Sequence, residues 1–211
     1  MPDVTAVILA GGKGTRLRSV VPNLPKCLAE VNGRPFIYPI LDQVERVGIE
    51  HVVLSVDYMW ETIYETIGDD YRDMVISYSV DTIENGGTGA AVRSALSYIN
   101  TEYILVMNGD TYVDIDLGIF IRWFFMSRSV ASVLLVRGKK DSFINSGLCL
   151  TTVKTIDINI PANKYYSFDR QFLAKLYGMG LYGCWSDAAF IDIGTPESYA
   201  KAGEFMKRIR R

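Results

Sequence analysis

Thr5-Ala6-Val7-Ile8-Leu9-Ala10 runs without a break into Gly11-Gly12-Lys13-Gly14-Thr15-Arg16-Leu17. The first half has no charge and the length of a short strand buried on both faces. The glycines that follow make a βα turn. Their backbone N–H groups can approach phosphate oxygens, and Lys13, Arg16 and Lys26 add positive charge nearby. A purely structural βα turn uses glycines equally well, so this stretch fixes a strand and a tight turn before it fixes a ligand. Two familiar phosphate motifs do not fit. A P-loop needs Lys directly after its last glycine, where Thr15 stands, and a dinucleotide fingerprint needs Gly or Ala where Leu17 stands.

Working outward, apolar runs alternate with amphipathic stretches. Pro35 to Val47 reads as a helix, because Phe36, Ile37, Ile40, Leu41, Val44 and Val47 recur at helical spacing and Gly48 supplies a stop. A strand is expected at 51–56, a short helix at 60–67 and a strand at 74–80. A helix follows at about 90–99, then a strand at 103–107, a helix at about 117–126 and a strand at 130–136. Later come strands at 147–151 and 181–185, a helix at 167–177 capped by Ser167, and a terminal helix at 196–210 opened by Pro196. The order predicts an α/β fold: a Rossmann-like, doubly wound, mixed but mostly parallel sheet in a single domain spanning 1–211. No internal repeat or linker interrupts it.

Composition narrows the function. The 211 residues carry 22 Lys+Arg against 24 Asp+Glu, a formal net charge of −2, which excludes a general nucleic-acid binder. Residues 1–34 nevertheless hold five basic side chains against two acidic ones, a local excess suited to one compact anion. Cys27, Cys149 and Cys184 are an odd set without a C-x-x-C pair, so neither a disulfide framework nor a thiolate zinc site is expected, and a reducing cytoplasm fits. The single histidine, His51, opens an apolar run as a strand-edge residue. No stretch has the roughly 18 to 20 apolar residues of a membrane span, and no signal peptide opens the chain. The basic end Lys207 to Arg211 reads as a solvated helix terminus, and Trp123-Phe124-Phe125 as core at helical spacing.

In open α/β sheets ligands bind beyond the carboxyl ends of the strands. Three loops fall there. The first is the glycine loop. The second, Glu84-Asn85-Gly86-Gly87-Thr88-Gly89, precedes a helix and is otherwise a turn. The third, Asn108-Gly109-Asp110-Thr111, ends a buried strand with a carboxylate that a divalent cation could pair, or that could simply cap the next helix.

The run L-A-G-G-K-G-T-R-L with Pro25-Lys26 and Pro35 resembles the N-terminal signature of the sugar-1-phosphate nucleotidyltransferases. Glu84 to Ala91 is similar to the family's base-contacting glycine segment, departing from it at Asn85, Gly86 and Ala90. Asn108-Gly109-Asp110 resembles its G-D motif, and Phe190-Ile191-Asp192-Ile193-Gly194-Thr195-Pro196 its [WF]-x-D-[IV]-G-T-P motif. Asn145-Ser146-Gly147 resembles its sugar-facing N-[AG]-G segment. The resemblance implies a nucleotide site of Leu9, Gly11, Gly12, Lys13, Gly14, Thr15, Arg16, Gly87, Thr88, Gly89, Asn108 and Gly109. It implies sugar contacts from Asn145 and Gly147, catalysis by Arg16, Lys26 and Asp110, and one Mg²⁺ held by Asp110 and Asp192. The nucleotide-binding part is then about 1–115, and the sugar-phosphate-binding, metal-completing part about 116–211.

Within that family the chain is most similar to the D-glycero-α-D-manno-heptose 1-phosphate guanylyltransferases, through R-S-V-V-x-x-L-P-K at Arg18 to Lys26, V-N-G-R-P-F at Val31 to Phe36 and N-G-D-T-Y-x-D at Asn108 to Asp114. GTP and a heptose 1-phosphate are the partners so implied, and a GDP-heptose for capsule, surface-layer or lipopolysaccharide glycan the product. Cys27 and Leu28 replace the Pro-Met that often follows the lysine. The family's acidic-basic pair, often Glu-Lys, has no counterpart in the short 137–144 interval. A mannose-1-phosphate guanylyltransferase, a uridylyl or thymidylyl transferase of the same fold, and a non-catalytic nucleotide-sugar sensor are the alternatives. The oligomeric state stays open, a homodimer being one arrangement.

Overall fold

The computed structural model describes residues 2–81, 86–138 and 142–209. Strand β1 (Val4–Leu9) lies inside an eight-stranded sheet. The short hairpin β2 (Glu30–Val31) and β3 (Arg34–Pro35) stands apart from it. β1 pairs in parallel with β4 (His51–Val56) on one side and β7 (Tyr103–Asn108) on the other. Beyond β4 lie β6 (Met74–Val80), parallel, and the short edge strand β5 (Asp70–Tyr71), antiparallel. Beyond β7 lie β10 (Phe143–Thr152), β9 (Ala131–Arg137) and β11 (Leu181–Ser186), in the overall order β11-β9-β10-β7-β1-β4-β6-β5. Only β10 and β5 run against the rest, so the sheet is mostly parallel as expected. Arg137 and Phe143 are too close in sequence for a crossover connection, so β9 and β10 pair antiparallel.

Side chains of β1 alternate between two buried layers. Ala6 and Ile8 enter one, Val7 the other, and all three are fully buried. The first layer takes α1 (Ile37–Arg46), α2 (Trp60–Ile67), α4 (Leu117–Ser127) and α7 (Pro196–Ile209), through Ile40, Leu41, Ile63, Phe120, Ala202 and Met206. The second takes α3 (Gly87–Ala95) and α5 (Val153–Asn159), through Val92, Ala95 and Ile156, together with Phe168 and Phe172. Helices on both faces explain why the central strands read as continuous apolar runs. Leu17, which rules out a dinucleotide fingerprint, is 1% exposed and belongs to the first layer.

Several elements differ from the sequence expectation. The helix expected at 90–99 starts earlier, as α3, and ends in a single 3₁₀ turn over Leu96–Tyr98. α5 was not expected: Val153, Thr155 and Ile156 are weak helix formers, and the helix is set by Thr152, whose hydroxyl accepts from the Thr155 N–H at 3.0 Å. The helix expected from Ser167 is a π-helix over Phe168–Leu173 followed by one short α-helix, α6 (Ala174–Leu176). Ser167 does cap it, accepting from the Arg170 N–H at 3.2 Å. A two-stranded ribbon of β8 (Thr111–Val113) and β12 (Phe190–Asp192) was also not expected.

His51 opens β4 and its Nε2 lies 2.9 Å from Ser77 Oγ, with burial holding its pKa down. The three cysteines are free thiols, and burial pushes Cys27 up to about 12. Phe124 is buried and Phe125 partly buried, both edge-on against Tyr103 in the core, whereas Trp123, expected to be core with them, is only half-buried and belongs to neither apolar layer. Among the described residues no helix is long and apolar enough to cross a membrane.

Candidate active site

The carboxyl ends of β1, β4, β6 and β7 open into one cleft of about 360 Å³, within the size range of ligand pockets. Its walls include Leu9, Gly11, Gly12, Arg16, Lys26, Gly87, Thr88, Asn108, Gly109, Asp110 and Asp192. The first loop is anchored to β4 by the Ala10 N–H donating to Ser55 O at 2.8 Å, and the end of β7 to β1 by the Gly109 N–H donating to Leu9 O at 2.9 Å. That approach requires glycine: a β-carbon at 109 would lie 2.9 Å from Leu9 O. No α-helix follows the glycine loop directly. Leu17 and Arg18 N–H groups instead fold back on Gly14 O, so a phosphate here is met by loop N–H groups and side-chain cations, without a helix dipole behind them.

The ribbon of β8 and β12 brings the two predicted metal carboxylates together. Thr111 pairs with Asp192, and the Ile193 N–H donates to Asp110 O at 2.9 Å. Asp110 Oδ2 forms an ion pair with Lys26 Nζ, and its Oδ1 accepts from Thr111 Oγ1 at 3.1 Å. Asp192 Oδ1 accepts the Gly194 N–H. A β-carbon placed on Gly194 would lie 2.9 Å from Lys26 Nζ, 2.5 Å from Asp192 Oδ1 and 3.4 Å from an Arg16 guanidinium nitrogen. Four charged side chains from widely separated parts of the chain therefore converge at one point beside the glycine loop.

The other predicted residues are placed differently. Lys13 and Thr15 are exposed and, with Gly14, do not line the cleft. Gly89 faces protein: its N–H donates to Tyr166 O at 2.7 Å. Thr88 lines the cleft while its hydroxyl accepts from the Phe168 N–H at 3.0 Å. Glu84 and Asn85 of the second loop, Lys139-Lys140-Asp141 in the short interval, and Arg210-Arg211 lie outside the described residues. Asn145 and Gly147 border a small hollow next to the cleft, shared with Leu9, Asn108 and Asp169. Gly147 has φ +81°, and a β-carbon there would overlap the Asn108 side chain. Gly147→Ala is expected to lower stability by about 1–3 kcal/mol through left-handed backbone strain, with further loss from the displaced Asn108, visible as a drop in melting temperature.

Sequence reasoning missed four polar residues of the cleft wall: Ser55, Asp57, Asp81 and Asp169. The first three stand at or just beyond the carboxyl ends of β4 and β6, where the strand-end rule could have found them. Asp169 had no such signal, because the π-helix carries it in from the far side. It is accessible from the cleft but hemmed in by protein. That partial desolvation raises its carboxyl above the ordinary value, opposed by a 2.8 Å hydrogen bond from Asn145 Nδ2.

Two hard carboxylates, Asp110 just before β8 and Asp192 on β12, have the chemistry of a Mg²⁺ site, an ion that takes one or two carboxylates, keeps several waters and completes its shell with phosphate oxygens. Among the described residues no group of three or more His, Cys, Asp or Glu could cage a metal alone.

Comparison with known proteins shows the family to which the chain belongs. The family profile described as "MobA-like NTP transferase domain" matches residues 6–117. The chain is 33% identical to the D-glycero-α-D-manno-heptose 1-phosphate guanylyltransferase of Campylobacter jejuni, covering 92% of this chain and 96% of that one. The enzyme of the same name from Aneurinibacillus thermoaerophilus is 32% identical, covering 93% and 96%. The crystal structure of HddC from Yersinia pseudotuberculosis complexed with GMP-PN superposes with a TM-score of 0.82 at 31% identity, over 96% of this chain and 99% of that one.

Proposed function

The chain belongs to the MobA-like NTP transferase family as a sugar-1-phosphate nucleotidyltransferase, and from that premise we propose that it transfers GMP from GTP to D-glycero-α-D-manno-heptose 1-phosphate. The products are a GDP-heptose, for surface glycan synthesis, and pyrophosphate. The observation that carries this reading is the convergence of Arg16, Lys26, Asp110 and Asp192 beside Gly194 and the glycine loop.

The reaction is an in-line displacement. A sugar-phosphate oxygen forms a bond to the α-phosphorus, and the bond from that phosphorus to the bridging oxygen of the β-phosphate breaks, its electron pair leaving with pyrophosphate. The attacking phosphate is already anionic at neutral pH, so no general base is required, which suits a cleft without histidine. The protein's work is alignment and charge neutralisation. Arg16 holds the pyrophosphate that leaves. Lys26, between Asp110 and the glycine loop, serves the α-phosphate and the incoming sugar phosphate. Asp110 and Asp192 would hold a Mg²⁺, which when bound would supply Lewis-acid stabilisation of α-phosphate charge. Leu9, Gly11, Gly12, Gly87, Thr88, Asn108 and Gly109 enclose the nucleotide. Lys13, Gly14, Thr15 and Gly89 shape the loops around it, and Asn145 and Gly147 border the sugar.

Guanine is favoured by the carboxylates at the β4 and β6 end of the cleft, Asp57 and Asp81. A carboxylate is an acceptor-only group that can take two parallel N–H bonds. Guanine presents N1–H beside a 2-amino group, whereas uracil and thymine present one N–H flanked by carbonyls. The free thiols suit a cytoplasmic enzyme.

The test is a matrix of nucleoside triphosphates against heptose, mannose and glucose 1-phosphates, read by pyrophosphate release. GTP with the heptose phosphate is expected to give the highest kcat/KM. No turnover by any combination would favour the sensor. Replacing both Asp57 and Asp81 by Asn is expected to lower kcat/KM for GTP about 10- to 100-fold, the worth of a charged hydrogen bond, and to narrow its margin over UTP. An unchanged margin would remove these carboxylates from base selection.

A further inference from the structure

We infer that Asp169, oriented by Asn145, is the residue that accepts a hydroxyl hydrogen bond from the acceptor sugar and so selects it. The inference rests on the transferase reading above and adds to it a residue from the π-helix.

Asn145 is held on both sides. Its Oδ1 accepts the Gly147 N–H at 3.0 Å and its Nδ2 donates to Asp169 Oδ1 at 2.8 Å. The amide orientation is therefore fixed, leaving one Nδ2 hydrogen as a donor. Among the described residues Asp169 Oδ2 has no hydrogen-bond partner. The pair thus presents a free acceptor beside a free donor, the complement of a hydroxyl group, which is both. Both residues are exposed in this structure, so a ligand can reach them.

Their place in the cleft fits the sugar better than the nucleotide. Asp169 borders both the main cleft and the small hollow beside it, and Asn108 borders both as well, two residues before Asp110. A sugar lying there has its hydroxyls at Asp169 and its anomeric phosphate toward Lys26 and Arg16. Charge points the same way. Asp110 is paired with Lys26 and Asp192 takes a backbone N–H, but no cation faces Asp169 among the described residues. An uncompensated carboxylate repels phosphate and attracts the neutral polyol end of the acceptor.

The segment that delivers it is built to hold position. Phe168 and Phe172 on either side are buried in the second apolar layer, Phe168 N–H donates to Thr88 Oγ1 at 3.0 Å, and Tyr166 N–H donates to Gly86 O at 2.8 Å. The π-helical widening over Phe168–Leu173 leaves Asp169 facing the cleft while both phenylalanines stay in the core.

The experiment uses the full chain with heptose 1-phosphate and its 2-, 3- and 4-deoxy analogues, read by pyrophosphate release, with GTP binding measured by calorimetry. Asp169→Asn and Asp169→Ala are expected to raise KM for the sugar phosphate about 10- to 100-fold while GTP affinity changes less than about threefold. Wild type is expected to penalise one deoxy analogue more than the others, and Asp169→Ala to lose that particular penalty, which a purely structural role would leave intact. Unchanged KM in both variants, or an unchanged pattern of deoxy penalties, overturns the assignment alone. Wild type inactive with every sugar 1-phosphate overturns the transferase reading and this assignment with it.

Discussion

Asp110→Asn is expected to lower kcat by about 10²- to 10³-fold, the scale set by removing one preorganised charge-stabilising group from a site where phosphate charge develops. The substitution keeps the side chain's shape and its contact with Thr111 Oγ1, but deletes the charge that pairs Lys26 and that would hold a metal with Asp192. The backbone that positions it, through the Ile193 N–H, is untouched. Stability is therefore expected to change little, because the side chain is 26% exposed and the lost ion pair is partly solvated. The Mg²⁺ concentration giving half-maximal rate is expected to rise with the same change. Pyrophosphate release under saturating GTP, set beside a thermal melt, decides the matter: a folded variant with a near-normal rate would remove Asp110 from the reaction.

Lys26→Ala is expected to cost a similar factor of about 10²–10³ in kcat, with Lys26→Arg recovering part of it. Lys26 sits in a 3₁₀ turn, with its side chain only 13% exposed, and its ammonium reaches both Asp110 and the space above Gly194. In the proposed mechanism it is the cation that serves the two anionic phosphates as they approach each other. Arg16 stands on the exposed loop and lines the same cleft, and in that mechanism it neutralises the leaving group while Lys26 serves the point of attack. Removing Lys26 also leaves Asp110 without its counter-ion, so double substitution with Asp110→Asn is expected to cost less than the two factors multiplied. Strict additivity of the two effects would mean that the residues act at separate places.

Much of the fold was legible because the central strands are buried on both faces and their connections are helical. Thr5 to Ala10, His51 to Val56 and Tyr103 to Met107 are therefore mostly apolar and uncharged runs, broken only by small or edge polar residues such as Thr5, Ser55 and His51, and that pattern survives in one dimension. The strand at 147–151 was seen only in part, because its first residues, Phe143 to Asn145, are exposed and carry no burial pattern. α5 escaped notice because it is only seven residues long and rich in β-branched residues, so its Thr152 cap and the spacing of Val153, Ile156 and Ile160 gave too short a signal.

The site divides in the same way. Arg16 and Lys26 were legible in and after the glycine loop and Asp110 at the end of a buried strand, because the backbone must turn sharply there, whereas Asp192 was marked only by the resemblance of Phe190 to Pro196 to a known motif. Their convergence on Gly194 was decided by the pairing of β8 with β12, a contact between distant segments that no local spacing encodes. Asp169 is the clearest case of what only the tertiary structure decided. It lies at the start of a helix that the sequence showed without marking any site there, and it faces the cleft because Phe168 and Phe172 must be buried while the turn between them widens. Local chemistry is written where the backbone is constrained; selection of the acceptor depends on which side chains the packing of a remote helix leaves facing the cleft.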